Sequence, residues 1–247
     1  MKKLLVIIMF LSPKIIQAQT IKAYRIFANT FASNALVDNS PRLTQLKNSV
    51  TTFNSKFCYG ISGEIALNLS SKLDLITGLG VDIRNYSTSY TGFVWGTDID
   101  PVTGQIRNST TVAEVGFNPS IFIPIKCSFK FNDFNSLEFG FNVNFRTADS
   151  AKIFTEYTDG TPRLEIAKSK LRHKPININF QAAYCFKKAL DDGKNFLIKP
   201  YVNFMLLSDE FFANDGNNRF WDLGLSVGVE FGKKEVKKSK KRRSSRY

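Results

Sequence analysis

Residues 220–231 read Phe-Trp-Asp-Leu-Gly-Leu-Ser-Val-Gly-Val-Glu-Phe. On an extended chain Trp221, Leu223, Leu225, Val227, Val229 and Phe231 fall on one face, and Asp222, Gly224, Ser226, Gly228 and Glu230 on the other. Successive side chains of a strand point to opposite faces, so this is a period-2 pattern with one apolar face and one small or charged face. The segment is long enough to cross a bilayer as a tilted strand, which takes about 9–11 residues. It also ends on an aromatic, as closing strands of outer-membrane barrels often do.

The rest of the chain repeats the pattern. Strands are predicted at 21–31, 56–69, 73–86, about 117–131, 136–146, 175–187, 195–208 and 220–231. The clearest, 136–146, sets Leu137, Phe139, Phe141, Val143 and Phe145 against Ser136, Glu138, Gly140, Asn142, Asn144 and Arg146. Cys58, Cys127 and Cys185 each fall inside a strand and read as small apolar filler, because an odd count without a CxxC fits neither a disulfide framework nor zinc. Pro124 removes a ladder hydrogen bond within a predicted strand, so a local bulge is expected there.

Polar stretches at 34–54, 87–115 and 147–174 read as long loops, and 209–219 as an intermediate one. The connections between them, at 70–72, 132–135 and 188–194, are short. Alternating short and long connections are the mark of an up-and-down membrane barrel, with periplasmic turns on the short side. The expected fold is therefore all-β: one eight-stranded antiparallel transmembrane barrel with long outer loops and both termini periplasmic.

Alternation alone does not say which face meets lipid, since a soluble ligand-binding barrel uses the same period inverted. The polar face carries Gly60, Gly78, Gly80, Gly140, Gly224 and Gly228 with isolated charges. Small residues suit the narrow interior of eight strands, and the aromatics suit a lipid-facing surface. The chain holds 23 Phe and 8 Tyr.

The net charge of +13 is unevenly placed, because residues 233–247 carry +8 of it. A basic tail on a nearly neutral body gives no case for nucleic acid as a partner. At the other end, Lys2 and Lys3, the apolar run 4–11 and the Ile16-Gln17-Ala18 motif read as a signal peptide, 1–18. The divisions expected are thus that signal, the barrel 19–232 and a disordered periplasmic tail 233–247.

The run Gly-Ile-Ser-Gly-Glu-Ile-Ala-Leu-Asn-Leu-Ser-Ser-Lys-Leu-Asp-Leu-Ile-Thr-Gly-Leu-Gly-Val-Asp at 60–82, with Ile-Phe-Ile-Pro-Ile-Lys at 121–126 leading to Phe129-Lys130-Phe131, resembles the PorT-like outer-membrane β-barrel family. The resemblance spans most of 60–231 and rests on strand patterns. It implies an eight-stranded outer-membrane barrel in which Pro124 is a family trait, and a link in some members to secretion of other proteins. It brings no functional residue with it, and the basic tail departs from the family pattern.

Six charges on the polar faces are expected to share the lumen: Glu64, Asp82, Arg84, Glu138, Arg146 and Glu230, joined by Lys126 and Lys130. Charges inside a narrow barrel need partners, so the expectation is a structural ion-pair network, with a gated conduction path as the functional alternative. His173, the sole histidine, sits between Arg172 and Lys174. A neighbouring cation disfavours a general base, and no serine motif adjoins it. No phosphate-cradling loop, metal cluster or hydrolase elbow is present, and no cofactor is expected.

The tail residues Lys237, Lys238, Lys240, Lys241, Arg242 and Arg243 read either as a contact surface for acidic partners or lipid headgroups or as a solvated extension with no specific partner. The function expected is non-enzymatic, a scaffold or accessory of an envelope or secretion assembly, touching outer-membrane lipids and periplasmic or outer-membrane proteins. A small channel or ligand transporter is the alternative, and a rim-active hydrolase using His173 the second.

Overall fold

The computed structural model describes residues 21–36, 50–91, 109–146, 150–157, 164–170, 175–190, 193–207 and 219–232. The segment 1–18 read as a signal peptide, His173 and the basic residues 233–247 lie outside the described residues.

Eleven strands are described: β1 (Ile21–Leu36), β2 (Val50–Ser55), β3 (Phe57–Asn68), β4 (Leu73–Thr91), β5 (Ser109–Lys130), β6 (Asn135–Arg146), β7 (Ser150–Tyr157), β8 (Leu164–Lys170), β9 (Ile176–Ala189), β10 (Lys194–Met205) and β11 (Arg219–Gly232). Eight of them close a ring in the order β1-β3-β4-β5-β6-β9-β10-β11, every pairing antiparallel. The opening segment closes that ring, from Ala23 opposite Gly232 to Leu36 opposite Arg219. The first predicted strand, with the weakest alternation, is therefore the seam partner, and it runs five residues beyond its predicted end at Phe31.

The remaining three strands lengthen one end of the barrel. β7 pairs with β5 in the register that β6 already holds, Ser120 opposite Arg146 and Glu114 opposite Lys152. β8 adds to β7, and β2 covers the far end of β4, from Tyr86 to Thr91. Much of what reads as long loop is therefore paired strand. These hairpin ends are rich in Ser and Thr on both faces, as in Tyr-Ser-Thr-Ser-Tyr-Thr at 86–91. β-branched and hydroxyl residues there accept a strand geometry, but Ser87 and Thr88, buried beside Tyr86, are themselves hydroxylic, so no apolar–polar alternation announces it.

Pro124 is accommodated without the expected bulge. The β4–β5 register is the same on either side of it, Thr77 opposite Ile125 and Gly80 opposite Phe122, and the ladder skips the residues between. That register sets Gly78 across from the proline, and a Cβ on Gly78 would lie 2.0 Å from the Gly63 carbonyl oxygen on β3. The ring absorbs a missing donor by a local gap beside a glycine, not by an inserted residue.

Burial decides the orientation of the wall. Ile61 is 67% exposed, and Tyr24, Leu79, Ile125, Phe141, Val202 and Leu223 also face outward, whereas Glu64, Glu138, Lys199 and Asp222 are buried. A soluble barrel would show the reverse. Exposed aromatics gather at both ends of this apolar band. Phe129, Phe131, Tyr184 and Phe186 meet ring to ring in series at the short-turn end, with Phe131 stacked on Tyr184 at 6.2 Å and Tyr184 tilted against Phe186 at 4.7 Å. Phe57 and Tyr59 stack at the other end. Aromatic girdles flanking an apolar belt are what a bilayer's two interfaces select. Among the described residues no helix is long and apolar enough to cross a membrane; the crossings are strands.

Candidate functional site: the lumen

With eight strands the interior is just wide enough for side chains to fill. Here it is filled in layers. On the short-turn side, behind the Lys22–Asp74–Lys130 group at the mouth, Arg25 on β1 spans the lumen, its Nη1 donating to Glu138 Oε1 on β6 and its Nε to Glu230 Oε2 on β11, each at 2.7 Å. Lys199 on β10 donates to Glu138 Oε2 at 3.2 Å and to both oxygens of Glu64 at 3.1 Å. Lys126 on β5 donates to Glu64 Oε1 at 2.7 Å and to Gln181 at 2.9 Å. Lys187 pairs with Glu230. Seven strands are thereby tied across the axis, with Glu138 fully buried. Buried charges are tolerable only when partnered in this way, because desolvation of each ion costs several kcal/mol.

An apolar layer interleaves with these ions. Phe27, Cys185 and Leu197 pack together, and the Lys199 ammonium lies 4.0 Å from the centre of the Phe27 ring. A second cluster of Phe31, Cys58, Ala183 and Tyr201 follows along the axis. The lumen-facing cysteines Cys58 and Cys185 are buried free thiols inside these clusters, and Cys127 is half-buried.

Beyond them Arg84 on β4 grips Asp222 on β11 bidentately, at 2.6 and 2.8 Å. Ser33 donates to the same carboxylate at 2.7 Å and accepts from Arg84 at 3.0 Å, and Asn203 donates from β10 at 3.3 Å. The long-loop end is then closed by Tyr86, Val115, Met205 and Phe220, with Phe53 stacked on Tyr86 at 5.2 Å. The Arg84 guanidinium lies 5.7 Å from the centre of the Phe220 ring and ties the last two layers together.

The sequence-derived set is therefore divided by the structure. Glu64, Glu138 and Glu230 meet in one network with Lys126. Arg84 belongs to the second layer. Asp82 is buried on the same strand as Arg84, and its Oδ1 has no hydrogen-bond partner. Arg146 lies at the long-loop end, 6.0 Å from the Phe220 ring centre. Lys130 pairs with Asp74 at 2.7 Å, apart from the central network. Sequence reasoning missed Arg25, Lys187, Lys199 and Asp222. Asp222 and Lys199 stand on polar faces of alternating strands, so counting every charged residue in that phase would have found them. Arg25 was hidden by the weak alternation of β1.

One stretch of the wall, between Glu138 and Arg146 on β6, is uncharged. Asn142 and Asn144 on β6 stand opposite Asn179 and Asn177 on β9, all four buried. Both polar atoms of the Asn177 amide lack a protein partner. Among the described residues no group of three or more His, Cys, Asp or Glu is placed to hold a metal ion.

Neither a protein-family model nor a curated protein matches the sequence. Among solved structures, the attachment invasion locus protein Ail of Yersinia pestis is similar at 11% identity, over 86% of this chain and 100% of that one, with a TM-score of 0.40. The outer membrane protein OprG of Pseudomonas aeruginosa is similar at 9% identity, over 87% and 97%, with a TM-score of 0.33. Neisserial surface protein A is similar at 10% identity, over 85% and 96%, with a TM-score of 0.31. At these values the likenesses carry nothing about binding or activity, and the barrel assignment rests on this chain's own closed ladder.

Proposed function

We propose that the chain is an outer-membrane barrel with a non-conducting lumen, acting as a scaffold or accessory of an envelope assembly. The observation that carries this reading is the sealed interior: two charged layers, the apolar clusters between them and an aromatic cap leave the axis to side chains. A wall built to be rigid and plugged does its work at its ends. The long-loop end offers paired hairpins that stand beyond the apolar belt, and the short-turn end leads into the basic tail at Lys233. Extended, ordered edges suit protein contacts, and a dense cationic arm suits acidic partners. The resemblance to PorT-like barrels supports a secretion-linked role for such contacts.

The experiment is single-channel recording on the refolded full chain in planar bilayers, with insertion verified by protease protection in matched vesicles. The expected record shows no steady unitary steps. Stable, reproducible steps would overturn the sealed-scaffold reading in favour of a channel.

A further inference from the structure

The short-turn mouth of the barrel opens into a cavity of about 300 Å³ that reaches inward from Lys22, Lys130 and Lys187 to Arg25 and Ser128. Its charges do not balance. Lys22 and Lys130 both sit on the single carboxylate of Asp74, at 2.9 and 2.7 Å. Behind them, the network of Arg25, Lys126, Lys187 and Lys199 holds four cations against the three carboxylates Glu64, Glu138 and Glu230. Each group therefore carries one surplus positive charge. Asp133 also lines the cavity, but it is exposed at the rim, where water screens it.

Surplus charge of one sign in a partly desolvated mouth calls for a counter-ion. The cavity also contains a donor with no protein acceptor: the Ser128 hydroxyl, 1% exposed and without a hydrogen-bond partner. Lys22 is brought to this place by the irregularity of β1, where the register against β3 shifts between Ile21 and Ala23 and frees the residue between them. A cation would be repelled by the ammonium groups that already occupy Asp74. An oxyanion would accept from those ammonium groups and from the free hydroxyl together, the charge-assisted geometry that binds most strongly.

We propose that this mouth is an anion site for a phosphate group, carried by free phosphate or by a lipid headgroup. The inference does not depend on whether the lumen conducts.

The test is titration calorimetry of inorganic phosphate into the refolded full chain in a phosphorus-free glucoside detergent. A saturable component is expected. Lys22→Gln and Lys130→Gln should each weaken it about tenfold, the usual effect of losing one charge-assisted hydrogen bond. Each variant leaves Asp74 its other lysine, so the barrel should still fold, as heat-modifiable gel mobility would show. Ser128→Ala should weaken binding severalfold without altering any charge or any protein hydrogen bond, and it carries the test if a lysine variant fails to fold. Lys72→Gln, on the turn outside the cavity, should change nothing.

Two further arms separate the sources. Phosphate binding that persists in phosphatidylglycerol nanodiscs assigns the site to soluble phosphate, and binding seen in detergent but lost in those nanodiscs assigns it to a headgroup. The absence of a saturable component, or affinities unchanged in the lysine and serine variants, would overturn the proposal.

Discussion

Arg25→Met is expected to destabilise the folded barrel by about 3–5 kcal/mol, the cost of breaking a buried ion pair by removing one partner. Arg25 is 5% exposed and joins carboxylates on two strands, Glu138 and Glu230, across the lumen. Methionine keeps the length and apolar stem but removes the charge. Lys199 and Lys187 remain as partners for the two glutamates, so the loss should lie below full disruption. The network is a unit, so the double change Arg25→Met, Glu138→Leu, which keeps Glu230 with Lys187 and Glu64 with Lys126 and Lys199, should recover part of the loss. Reversible urea unfolding in lipid vesicles, followed by tryptophan emission, measures both. A loss of less than about 1 kcal/mol, the range of exposed pairs, would show that water reaches these groups and that the layer does not seal the lumen.

Leu79→Arg is the second large effect, and it concerns the outside of the wall. Leu79 is 57% exposed near the middle of the membrane-crossing part of β4. At the bilayer midplane an arginine on the lipid face costs about 2–4 kcal/mol, falling toward zero near the interfaces. The same change on a soluble barrel would be neutral and would improve solubility. The predicted result is a loss of that size in vesicle unfolding, and a clearly smaller loss for Phe57→Arg, placed in the outer girdle. Equal and negligible effects at both positions would place the apolar face in water and contradict the orientation argued from burial.

The barrel was legible in the sequence because lipid and lumen impose opposite chemistries on alternate residues. Strands such as 136–146 and 220–231 had to show period 2 from end to end, and the structure pairs them as the pattern requires. Where that constraint ends, so does legibility. The hairpin extensions of β4, β5, β7 and β8 lie on the side of the long connections, where neither face needs to be apolar, and their Ser- and Thr-rich segments read as loops. β1 was faint because its outward positions Ala28, Thr30 and Ala32 are small or hydroxylic, although its inward Phe27 and Phe31 are buried.

The charges followed the same logic. Their phase on each strand revealed that they face the lumen, but their partners depend on barrel stagger, which no single strand encodes. Glu64 therefore meets Lys199, 135 positions away, a pairing no local pattern could supply. Pro124 shows the limit from the other side. The missing donor was visible, but the gap beside Gly78 that accommodates it belongs to the neighbouring strands.

The central claim is that the apolar face of this closed wall meets lipid. Trp221 lies on that face in β11, and Trp95→Phe would leave it the only tryptophan in the chain. The measurement is its fluorescence after refolding into vesicles whose phosphatidylcholine carries bromine on the upper acyl chain. Strong quenching relative to unbrominated vesicles, with blue-shifted emission, is the predicted result. Unquenched, red-shifted emission from a folded barrel would place that face in water and contradict it.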